Sequence, residues 1–144
     1  YGFVWGGSQF FTGRLSDHIG RQRPIVWGMW LCGAGVAMML LMDTTWWWVL
    51  SAAVTGFGMA LLYPNLSAAV ADIAHPNWRG SAIGIYRFWR DLGYGIGALL
   101  LGLVAHLSGQ LESGLWFVAI AMALSGLVVQ IWGEETHPRL NPAN

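Results

Sequence analysis

The chain has 144 residues, of which 56% are hydrophobic and 10% charged, at a mean hydropathy of +0.51. Soluble domains carry about 25% charged residues, and a water-soluble fold this apolar would expose large sticky patches, so lipid is the solvent that fits. Zero net charge offers no basis for a nucleic-acid partner, the lone cysteine, Cys32, excludes an intrachain disulfide, and the absence of lysine excludes a phosphate-binding loop of the G-x-x-x-x-G-K type.

Crossing the hydrocarbon core takes about 20 apolar residues in a helix. Tyr1 to Thr12 is apolar and aromatic but too short. It opens without methionine and reads as the end of a truncated helix, 1–12. A polar, basic loop follows at 13–23. Residues 24–42 carry no charge and open on Pro24, a favoured first helical residue. Asp43, Thr44 and Thr45 offer N-cap oxygens to a second span, 46–71. Within it, Pro64 removes a backbone hydrogen bond and can kink the helix, and Asn65 is a candidate cavity-lining residue.

His75, Pro76 and Asn77 break the chain before a third span, 81–105. A polar stretch around Gly109 precedes the fourth, 114–132. Residues 133–144, with Glu134, Glu135, Pro138 and Pro142, read as a solvent tail. The apolar runs are too long for strands and do not alternate with period two. The expected fold is all-α: one polytopic transmembrane helical bundle over 1–144, made of one truncated helix and four full spans.

All seven basic residues are arginines. Arg14, Arg21 and Arg23 lie in the first loop, Arg79 in the third with Arg87 and Arg90 beyond it, and Arg139 in the tail. Loops alternate sides, so every arginine falls on one side, and the opposite loops hold only Asp43 and Glu112. Basic loops stay in the cytoplasm, which places the 13–23 loop and the C-terminal tail inside.

The first loop reads Gly13-Arg14-Leu15-Ser16-Asp17-His18-Ile19-Gly20-Arg21-Gln22-Arg23. It resembles the signature loop of the major facilitator superfamily, with Gly13, Asp17, Gly20 and Arg21 at matching positions. His18 stands where a basic residue is usual, and Gln22 interrupts the basic pair that Arg23 completes. The resemblance implies a six-helix half-repeat, here a fragment. The absence of an arginine at the start of 46–71 and the Glu134-Glu135-Thr136 tail point to the C-terminal half. It further implies a conformational latch formed by Gly13, Asp17, Gly20, Arg21 and Arg23, and a polytopic protein of the bacterial inner membrane. Its partners would be lipid, a small solute and the missing N-terminal half.

A charged helix entrance follows at Arg87, Arg90 and Asp91. Charges cost roughly 2.5–3.5 kcal/mol at the bilayer centre, so these must sit at the interface, pair or line water. Arg87 and Asp91 are four apart and share a helix face, while Arg90 would point elsewhere, to Asp17 or another helix. A sharper reading makes Asp91 a proton-titrating, coupling site. Gly80 and Gly84, with Gly93 and Gly97, have the spacing of helix-packing glycines. The four histidines lack paired metal-ligand spacing. No metal, cofactor or enzymatic chemistry is expected. The expected activity is secondary active transport by alternating access; the alternatives are a membrane scaffold or sensor of the same fold, or an intramembrane enzyme.

Overall fold

A computed structural model describes residues 1–138; Arg139 and Pro142, assigned to the tail, lie outside the described residues. These form five α-helices and no strand: α1 (Gly2–Ile19), α2 (Gln22–Met39), α3 (Thr45–Ile73), α4 (Arg79–Ser108) and α5 (Leu111–Trp132), with a 3-10 turn at Pro76–Trp78 before α4. The chain is thus an all-α bundle. Among the described residues, three helices are long and apolar enough to cross a membrane by length and composition: α3, α4 with its preceding turn, and α5. Helices α3, α4 and α5 themselves begin and end within three residues of 46–71, 81–105 and 114–132.

The first two helices differ from expectation. α1 does not stop at Thr12 but runs through Gly13 to Ile19, so most of the 13–23 loop is helical. One glycine costs a helix interior only about 1 kcal/mol, and neither Arg14 nor Leu15 opposes a helix. The true stop is Gly20, at φ 93° and ψ 179°, a region open almost only to glycine. The connection shrinks to Gly20 and Arg21. α2, expected as a span over 24–42, has 18 residues and ends at Met39. The Leu40 and Leu41 amides turn back to the Ala37 and Met38 carbonyls at 3.0 and 3.2 Å, and the Trp47 indole donates to Met38 O at 2.6 Å. Those bonds satisfy carbonyls left over at a helix end.

Packing centres on an antiparallel seam of small residues between α2 and α3. Gly28, Cys32 and Gly35 face Gly58, Thr55 and Ser51. A Cβ on Gly28 would stand 2.8 Å from the Gly58 carbonyl oxygen, and one on Gly58 2.9 Å from that of Gly28. Ser51 Oγ donates to Gly35 O at 2.5 Å. On the other side of α2, Gly33 admits the Ala119 backbone of α5. Small side chains let backbones meet where lipid supplies no hydrophobic drive between helices.

Pro64 lies inside α3. It has no N–H to give the Ala60 carbonyl, four residues back. Thr12 of α1 supplies the replacement: its buried hydroxyl donates to Ala60 O at 2.8 Å. α4 stands apart. Among the described residues it touches only α3, α5 and the turn before it, and none of its residues is buried.

Candidate functional site

Two places gather chemistry. The first is the bundle end where α1, α2, α3 and the tail converge. Arg21 Nη1 donates to Ser16 Oγ at 2.7 Å and to Asp17 Oδ1 at 3.1 Å, while its Nε donates to Asp72 Oδ2 at 3.1 Å. The guanidinium is 14% exposed and Asp72 18%, so this pair is screened less than a surface bridge. Glu135 closes the cluster from the tail. Its carboxylate accepts the Arg21 amide at 2.7 Å, the Gln22 amide at 3.2 Å and the His137 amide at 2.9 Å. The first two are otherwise orphaned donors at the start of α2, where the helix dipole also favours an anion. Gln22 Nε2 answers by donating to Val129 O and Gly133 O at 3.1 and 2.8 Å, which ties α2 to the end of α5. A cavity of about 380 Å³ adjoins the cluster, lined by Asp17, Arg21, Asp72, His137 and Pro138.

Burial pushes the Glu135 carboxyl up, but the amides of Arg21, His137 and Gln22, with the charge of His137, outweigh it and hold the group below its ordinary range.

Of the loop residues named from sequence, Asp17, Gly20 and Arg21 come together here. Gly13 does not: it lies within α1, with nothing within 4 Å of where a Cβ would stand. Ser16 is the buried α1 residue that joins the cluster instead. Arg23 is exposed and makes no ion pair among the described residues. Sequence reasoning missed Asp72, Glu135, Ser16 and Gln22. Asp72 had a readable signal, as the one charge closing an uncharged run on the side of the arginines.

The second place is a cavity of about 270 Å³ between α3 and α4, walled by Tyr63, Tyr86, Arg90, Gly93, Tyr94 and methionines including Met59. Arg90, not Arg87, pairs with Asp91: its Nη2 and Nε lie 2.8 and 2.9 Å from the single oxygen Oδ1. Arg87 has no ion pair among the described residues. The Arg90 guanidinium also lies over the Tyr63 and Tyr86 rings, 5.6 and 5.9 Å from their centroids. At 1.5 Å per residue, Arg90 lies about 17 Å from the start of a helix about 45 Å long, which begins at Arg79.

Asn65, expected on a cavity wall, is 1% exposed and bonds back to Leu61 O at 2.6 Å; its neighbour Tyr63 takes the cavity. Gly80, Gly84, Gly93 and Gly97 were expected to pack helices. At each, a Cβ would meet nothing within 4 Å among the described residues. At 100° per residue, the Gly80–Gly84 row also sits roughly 140° around α4 from the Gly93–Gly97 row. Among the described residues, no group of three His, Cys, Asp or Glu side chains could hold a metal ion.

Comparison with known proteins gives a consistent picture. The family model described as Major Facilitator Superfamily matches residues 1–144. A protein of Salmonella typhimurium named as an MFS-type transporter is 28% identical over 129 residues, 90% of this chain and 33% of that protein. A Burkholderia mallei protein named likewise is 34% identical over 136 residues, 94% of this chain and 33% of its own length. Among solved structures, a mutant of the peptide transporter POT in complex with sulfate aligns at a TM-score of 0.69 and 26% identity. The match covers 89% of this chain and 27% of that one. The chain therefore spans about a third of the length of the curated relatives it matches.

Proposed function

Since the chain belongs to the major facilitator superfamily, we propose that it is the C-terminal part of a secondary transporter that moves a small solute across a membrane by alternating access. The curated relatives, named as MFS-type transporters, support transport. The absence of an arginine at the start of the 46–71 span supports the second half. The arginine-rich end, which holds Arg21 and the tail, is then cytoplasmic by the charge rule.

The observation that carries the reading is the Arg21 cluster. One guanidinium joins α1 through Asp17 and α3 through Asp72, and its own amide joins the tail through Glu135. A transporter that rocks between two states needs bonds made in one and broken in the other. The cluster suits that role: it is polar, it lies at one end of the bundle, and it links segments far apart in sequence. It is the latch, with Asp17, Gly20 and Arg21 as its loop members and Asp72 and Glu135 as its anchors. The geometry gives no support to proton carriage by Asp91, which is 62% exposed and paired with Arg90.

The test is uptake of a panel of labelled small solutes by the full-length protein in proteoliposomes. Saturable uptake is expected for at least one. Arg21→Ala should cut its rate about tenfold or more at equal reconstitution, by removing two charge pairs that bias the conformational equilibrium. Uptake of no solute, or an unchanged rate in Arg21→Ala, contradicts the reading.

A further inference from the structure

Arg90 is more than a structural charge. It lies about 17 Å from the start of α4, and Tyr63 about 15 Å from the Ile73 end of α3, so two helices place the cavity well inside the bundle. A guanidinium there must be compensated. Asp91 does so incompletely: it meets Nε and Nη2 with one oxygen. Nη1 makes no hydrogen bond among the described residues. The Tyr86 hydroxyl is buried and likewise makes no hydrogen bond among the described residues. Arg90 and Tyr86 both line this cavity, so two residues of its wall each carry an unmet donor, one of them cationic.

The rest of the wall is apolar and soft. Tyr63 and Tyr94 offer aromatic faces, and Met29, Met59 and Met122 flexible thioethers that adapt to varied shapes. Gly93 opens the α4 side, since no Cβ fills it. The volume suits a small solute rather than a drug-sized one.

We propose that the Arg90 cavity binds an organic carboxylate with a compact apolar or aromatic body. The carboxylate is held by Arg90 and the Tyr86 hydroxyl, and the body lies between Tyr63 and the methionines. Calling that ligand the transported substrate rests on the transport reading above; the binding itself does not.

The test is calorimetric titration of the full-length protein in detergent with benzoate, phenylacetate and 3-phenylpropionate, against benzyl alcohol and benzylamine as neutral and cationic counterparts. At least one carboxylate is expected to bind saturably, about tenfold or more tighter than either counterpart. Arg90→Gln should lose that preference, and Arg90→Lys should restore part of it. Gly93→Val should abolish binding by filling the cavity; since a Cβ there meets nothing within 4 Å, its thermal unfolding should match the parent. Binding of no carboxylate, equal binding of benzyl alcohol, or unchanged affinity in folded Arg90→Gln or Gly93→Val overturns the site. Proteoliposome exchange of the bound carboxylate separates the two readings. Arg90-dependent binding without exchange sinks transport and keeps the site, whereas uptake of another solute, indifferent to Arg90→Gln, keeps transport and sinks the site.

Discussion

Burial and hydrogen bonding pull the Glu135 carboxyl in opposite directions, and hydrogen bonding wins. Three backbone amides point at it, two of them from the start of α2, and its pKa falls below the ordinary 4.5. Because the folded state lowers the pKa, its contribution to stability is fully present above the ordinary value and disappears as pH falls through the folded one. Thermal unfolding of the full-length protein between pH 7 and pH 3 checks this. The parent should be more stable than Glu135→Gln by a constant margin near neutrality, and the margin should shrink as pH falls below 4.5. A margin that persists to the lowest pH would mean that Glu135 acts by shape and not by charge. Gly20 leaves room for the same contact: a Cβ there would run into the Glu135 carboxylate.

Helices α1 and α3 are joined by a repair. Pro64 leaves the Ala60 carbonyl without its helical donor, and Thr12 supplies one from the neighbouring helix. Thr12→Val keeps the shape and removes the donor, so it should destabilise by about 1–3 kcal/mol. Pro64→Ala returns an amide to Ala60 and should shrink that cost in a double-mutant cycle. Additive effects in thermal unfolding would refute the coupling. The proline was readable in the sequence, but its partner was not, because nothing local to Thr12 points 48 residues ahead. Four-residue spacing drew attention to α4, where a Cβ on Gly80, Gly84, Gly93 or Gly97 would meet nothing within 4 Å among the described residues. The seam that packs alternates spacings of four and three residues and mixes Gly with Cys, Thr and Ser. It becomes visible only once α2 and α3 are known to be antiparallel neighbours. The long apolar runs were legible because length and charge alone define them. The end of α1 was not, because tertiary contacts carry a helix past Gly13 and a positive φ at Gly20 stops it.

At the scale of the molecule, arginine placement alone indicated that the first loop and the tail share one end of the bundle. Contacts across 51 and 114 residues then join Arg21 to Asp72 and Glu135 there. Those partners are acidic, and a rule that counts only basic residues passes over them. What the chain leaves open is α4. It carries Arg87, Arg90 and Asp91, yet buries no residue. Full exposure to hydrocarbon would cost roughly 2.5–3.5 kcal/mol for each central charge. Some other part of the protein, or water, must therefore meet its charged face, and on the transport reading that part is the other half. Single cysteines along α4 of the full-length protein, such as Gly84→Cys, Arg87→Cys, Asp91→Cys, Leu99→Cys and Leu103→Cys, can be probed with a membrane-impermeant maleimide. Native Cys32 is buried and should stay silent. Labelling is expected at positions 84, 87 and 91, which share a face, and not at 99 and 103. Uniform protection of all five would place the charged face against lipid or dry protein and contradict a water-lined path along α4.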